Sequence, residues 1–481
     1  MSLQPSAELI PGGFAAEAAA FIETLRSDAL PTLAVERAVD AVTDTLACMV
    51  LGARQSLEAP LRRSLFGGAR AETGGQVLGR VLAQEGWADA GAETLGTAAL
   101  YLGTLAHAAD FDDISHPAYC HATALLLPPL LVRAAAAGQG GAALIRAYLV
   151  GVETMGQLGR RLNTAHYEAG WHATSTLGTL AATAAIAALD GLTPAQTVTA
   201  LGIAASLASG VRQNFGSMTK PLHAGLPGRS AILATRLAAE GLTSAAQAVD
   251  GRFGFFRTFG GEAEAGHAKP WGGPLEVLTE NGLALKAYPC CAATHAAIDA
   301  ARALAGRHAH QALRHVRVGV SRFAIEPLIY LRPTTPLEAK FCMPYCIAVA
   351  LHDGNVTLDS FTPEAIQRPQ IVALMDRIVM EVDERVADDR EFASVLDVSL
   401  EGGSTDVERV DVASGKPARW MTASDLAHKF FSCCGQGREH APTRALFDQA
   451  RQLAGAASLR PLHTALTESL ALAVDAGGGA R

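Results

Sequence analysis

The chain has 481 residues, 49% of them hydrophobic and 18% charged, with a formal net charge of −8. That length exceeds what one small core needs and predicts two domains, while the apolar content excludes disorder as a description of the whole. The acidic balance argues against a nucleic-acid partner, or an anionic membrane surface, held by bulk charge.

In chain order, Glu8, Glu17 and Glu23 stand where a secretory signal would carry a basic start before an apolar run. The first dozen residues and the closing Ala-Gly-Gly-Gly-Ala-Arg read as loose ends. From about residue 15 to 252 the pattern is helical almost throughout. Segments 34–51, 92–107, 143–162 and 174–189 are Ala/Leu-rich with Gly or Pro punctuation. Several are apolar on most faces, which predicts a thick helical domain with buried central helices or a large subunit interface. The most apolar stretch, 122–132, is interrupted by Pro128-Pro129 and followed by Arg133. It falls far short of the roughly 20 clean residues of a membrane span. Asp190-Gly191 closes one helix; Thr193 caps the next, with Pro194 in its first turn.

After residue 273 the texture changes. Segments 315–320, 378–382, 393–398 and 407–412 alternate like strands, the last two as a hairpin. The expected fold class is mainly α: a large all-helical domain (1–273 and 413–481) and a smaller α+β domain (274–412). The tail at 422–453 is helical again and packs back on the first domain. Eight cysteines in so long a chain make no disulfide scaffold, so a reducing cytoplasm is expected.

Five polar clusters interrupt this apolar background. The densest runs from His107 through Asp110, Asp112, Asp113 and His116 to His121. It reads as a solvated acidic loop, as a metal site, or as metal-free acid/base groups. Next comes Gly170-Trp171-His172 ahead of a small-residue helix, a place that favours anions and neutral imidazole. Lys220, in a Gly216–Gly225 segment with His223, is the first lysine of a chain that has only six. As a cleft lysine it anchors a carboxylate or, with lowered pKa, acts as a base. Lys286 precedes Pro289-Cys290-Cys291 and His295, and Lys340 precedes Cys342, Tyr345 and Cys346. No Cys-x₂-Cys pair or phosphate-binding glycine loop occurs, so neither metal nor nucleotide cofactor is expected.

In this order the clusters closely resemble the MmgE/PrpD family, from about residue 15 to 453. The motifs are His107-x-x-Asp110-Phe-Asp-Asp113, His121, Gly-x-His172, Lys220-Pro-Leu-His-x-Gly225, Lys286-x-Tyr-Pro-Cys-Cys with Thr294-His295, and Lys340-Phe-x-x-x-Tyr345. That family includes 2-methylcitrate dehydratase, cis-aconitate decarboxylase and iminodisuccinate epimerase. The resemblance implies a helical domain plus an α+β lid domain, a homodimer, and a metal-free site between the domains for di- or tricarboxylates. Asp110, His121, His172 and Lys220 match catalytic positions. Lys286, Cys291, Tyr345, His223 and His116 match substrate-binding positions, His116 being also a rival of His121. Ile114 and Cys291 stand where the decarboxylase has a threonine and a histidine, and Ala292 where many relatives have arginine. The expected function is a cofactor-independent hydro-lyase of the 2-methylcitrate dehydratase type. An epimerase, a cis-aconitate decarboxylase-like enzyme and a non-catalytic carboxylate binder are the alternatives.

Overall fold

A computed structural model describes residues 12–67, 90–260, 269–308, 313–389, 391–435 and 440–477. The N-terminal end expected to be loose, and the last four residues, lie outside this set. The chain divides into two compact units, Met1–Leu283 with Thr422–Arg481, and Ala284–Met421. The fold is mainly α, a large helical unit and a smaller α+β one.

The large unit is built from α1 (Phe14–Ser27), α2 (Thr32–Gly52), α3 (Ala92–His107), α4 (Ala122–Ala136), α5 (Gly141–Leu162), α6 (Ala173–Asp190), α7 (Pro194–Leu207) and α8 (Thr219–Ala239). Three helices of the returning tail complete it: α9 (Ala423–Gly435), α10 (Ala441–Arg451) and α11 (Arg460–Gly477). Nearly every residue of α6 is buried, as its all-round apolar sequence requires. Small residues let the central helices approach closely. A methyl group on Gly103 of α3 would lie 2.8 Å from the Cα of Gly225 on α8, so this crossing admits no side chain. Gly191 ends α6 in the left-handed conformation (φ 68°), and Thr193 and Gln196 form a reciprocal capping box on α7. Where the sequence shows an interruption at Pro128-Pro129, the helix continues. Burial of nearly all its apolar residues offsets the backbone hydrogen bonds that two prolines remove.

The smaller unit carries a four-stranded sheet of β1 (Leu313–Val320), β2 (Ile378–Val382), β3 (Ser394–Leu400) and β4 (Thr405–Val410), in the order β2-β1-β3-β4. β1 and β2 are parallel, with Val316 opposite Ile378; β1–β3 and β3–β4 are antiparallel. Alternation puts Val316, Val318, Leu396 and Val398 into a core with Ile298 and Ile347, from the helices His295–Arg307 and Met343–Asp353. Among the described residues, no helix is long and apolar enough to cross a membrane.

Candidate functional site

The loop that follows α3 gathers the site of the large unit. His107 ends that helix, and Asp110, three residues on, sits in the left-handed region at φ 56°, a conformation that costs a non-glycine residue energy and marks special sites. The solvated-loop reading of this cluster is overturned. His107, Asp110, Asp112, Asp113, His116 and His121 are all between 0% and 7% exposed.

Lys220 enters from the first turn of α8 and places its Nζ 2.7 Å from Asp110 Oδ1. His121, just before α4, presents Nε2 at 3.8 Å to the same oxygen, and its Nδ1 lies 3.1 Å from Asp112 Oδ2. Asp112 also receives His107 Nδ1, at 2.9 Å from Oδ1. A second imidazole pair lies alongside: His172 and His223 meet Nδ1 to Nδ1 at 2.9 Å. One of those nitrogens must carry the proton and the other accept it. Phe215 lies edge-on to His172 at 4.8 Å and under the Lys220 ammonium at 5.4 Å.

Burial, the Lys220 ammonium and the neighbouring imidazoles set the protonation states. Burial pushes the His107 imidazole down to about 3, against the pull of Asp112. Burial, then Lys220 and the neighbouring imidazoles, hold His172 well below the usual range. His223 is lowered by burial and by Lys220. Burial opposes ionisation of Asp112, yet His107 and His121 hold its carboxyl well below the ordinary value.

His107, Asp110, Asp112 and His121 bring one donor atom each within 4.8 Å of one another, the spacing of a cation site. The donor set does not suit a resident metal. Asp110 already takes the Lys220 ammonium, and Asp112 takes two imidazole N–H groups, so a divalent ion would displace or adjoin a cation.

The structure thus brings together five of the positions expected from sequence: Asp110, His121, His172, Lys220 and His223. His116 is buried in the same loop, which a Ser115–Cys120 bridge folds back on itself. Lys286, Cys291 and Tyr345 belong to the smaller unit. There Lys286 is buried, Cys291 is half-buried with its N–H donated to the Lys340 carbonyl, and Tyr345 is buried with its hydroxyl donated to the Ser360 carbonyl. Two supporting contacts were not read from sequence, although the residues of the first stand in its densest cluster. One is His107–Asp112. The other is Lys429 of α9, whose Nζ donates to Asp44 at 2.9 Å and to the Phe111 carbonyl at 2.8 Å. The scarcity of lysine was the available signal for the second.

Comparison with known proteins accords with this layout. Residues 16–268 match the MmgE/PrpD N-terminal domain and residues 288–452 the MmgE/PrpD C-terminal domain. Cis-aconitate decarboxylase of Mus musculus is 30% identical over 349 residues, covering 69% of this chain and 70% of the mouse protein. Cis-aconitate decarboxylase of Aspergillus terreus is 24% identical over 496 residues, covering 96% and 97%.

Proposed function

The chain belongs to the MmgE/PrpD family, and from that premise we propose that it is a metal-independent lyase acting on a small di- or tricarboxylate. Its reaction is proton transfer at a carbon next to a carboxylate. The observation that carries this reading is the buried Lys220–Asp110 pair at 2.7 Å, with the His121 and His172 imidazoles beside it. Withdrawing a proton next to a carboxylate builds negative charge on its oxygens, and an ammonium held in a water-poor site lowers that state. In dehydration a base takes the proton, the C–H electrons form the double bond, and hydroxide leaves as water with a proton from an acid. Two imidazole systems in one cluster suit that division of labour, so a hydro-lyase of the 2-methylcitrate dehydratase type is the first reading.

Decarboxylation is the second reading, favoured by the names of the relatives. There the bond to one carboxylate breaks, CO₂ leaves, and an acid protonates the resulting carbanion. Ile114 and Cys291, in place of a threonine and a histidine, weigh against cis-aconitate itself, and Ile114 with Ala292 suits a smaller or partly apolar acid. Lys286, Cys291, Tyr345 and His116 are retained as substrate contacts on the resemblance alone.

The test incubates EDTA-treated protein in D₂O with 2-methylcitrate, cis-aconitate and smaller hydroxy and unsaturated acids. Rising alkene absorbance with loss of water supports the first reading, and CO₂ with one deuterium in the product supports the second. Deuterium exchange without either makes the enzyme an epimerase and ends the lyase reading. Activity lost to EDTA and restored by a divalent metal ends the metal-independent part.

A further inference from the structure

Asp112 has no part in the chemistry just proposed, yet its carboxylate is engaged on both oxygens. Its side chain is fully buried, and each oxygen faces an imidazole Nδ1: Oδ1 that of His107 at 2.9 Å, Oδ2 that of His121 at 3.1 Å. An ionised carboxylate only accepts, so both Nδ1 atoms must carry their protons. The same His121 nitrogen lies 3.0 Å from the Asp113 carbonyl, a second acceptor with the same demand. Neutral His121 is therefore fixed as the Nδ1–H tautomer, and its lone pair is on Nε2, on the side of Asp110 and Lys220.

We infer that Asp112 is a positioning residue that makes His121 Nε2 the proton-accepting atom of the site, with His107 bracing the carboxylate from its other side. The inference deepens the lyase reading and rests on it for the reaction.

Two contrasts within the site carry it. His172 is backed by His223, a ring without negative charge, and faces the Lys220 ammonium, which disfavours an imidazolium there. His121 is backed by an anion, so the imidazolium formed when it takes a proton has its counter-charge in place. His107 shares that anion, but its Nε2 is buried with no hydrogen-bond partner among the described residues. It holds Asp112 rather than exchanging protons. The carboxylates of Asp44 on α2 and of Asp113 also face Asp112. The first is balanced by Lys429, and burial raises the second toward its neutral form.

The experiment has two arms. In the first, ¹⁵N-histidine-labelled protein is examined by NMR, with the His121 signals identified by their loss in His121→Gln. Nδ1–H with unprotonated Nε2 is expected, and an Nε2–H tautomer at His121 overturns the inference without any Asp112 variant having to fold. In the second, Asp112→Asn is compared with wild type and with Asp112→Glu. The expected result is a fall in kcat of about 100-fold or more with KM changed less than about threefold. Partial rescue by Asp112→Glu accompanies it. An unchanged kcat in a folded Asp112→Asn overturns the inference. If wild type converts none of the acids while the first arm gives Nδ1–H, the lyase reading falls and the positioning of His121 stands.

Discussion

Asp112 and Asp113 are neighbours in sequence with opposite electrostatic fates. The first is held ionised by two imidazoles, whereas burial pushes the second up to about 7 although the Thr123 N–H and hydroxyl donate to it. In an unfolded chain an aspartate has a pKa of about 3.9, so between that value and 7 the folded protein binds the extra proton. This contribution to stability is fully present below about pH 4 and is lost as pH rises through 7. Asparagine can keep the Thr123 bonds and has no charge to bury. The melting temperature of Asp113→Asn relative to wild type is therefore expected to rise between pH 5 and 8.5. Scanning calorimetry measures it, and a pH-independent difference contradicts the burial argument. At this scale the sequence was partly legible. Asp110, His121, His172 and Lys220, singled out by their types and motifs, lie together in one buried cluster. The relation of His116 to His121 depends on the Ser115–Cys120 bridge and a left-handed Tyr119 (φ 49°), which spacing does not encode.

Among the elements, α9 does the least expected work. It brings Lys429 under the Phe111 carbonyl and against Asp44, with the ammonium also 4.0 Å from the Phe111 ring. This clamps the backbone next to Asp110, whose φ of 56° needs such restraint. Removing one partner of a buried ion pair leaves the other uncompensated. Lys429→Met is expected to destabilise the protein by about 3 kcal/mol in urea titration. Adding Asp44→Leu should recover part of that loss, and a purely additive double variant contradicts the pairing. The helix 92–107 and the strand 378–382 are legible to the residue, because apolar periodicity runs unbroken between clear stops. The Arg460–Gly477 helix falls in the expected helical tail region, but its bounds were not read from the sequence. The reading of the tail stopped at residue 453, although Pro461 in the first turn of that helix is an ordinary start signal.

For the whole molecule, the composition was a better guide to the interior than to the surface. Five of the six lysines, Lys220, Lys286, Lys340, Lys416 and Lys429, are buried. Arginine carries the exposed positive charge, while lysine, a compact cation, is kept where a point charge must be enclosed. A net-acidic protein thus holds its ammonium groups inside, and that is why bulk charge excluded partners without identifying any. The large unit is interrupted, since the chain leaves it after Leu283 and returns at Thr422. A chain stopped at Met421 lacks α9 and leaves Asp44 buried without its cation. Expressed alone, it is expected in the insoluble fraction or without a cooperative thermal transition, and a soluble, cooperatively melting product contradicts this dependence.

The Lys429 contacts also impose an order in time. Phe111 and Asp44 are synthesised early, and the ammonium that joins them comes 318 residues after the first and 385 after the second. On the ribosome the whole of the smaller unit has therefore been made before the large one can close. The loop bearing Asp110 is finished late, although it is translated in the first quarter of the chain.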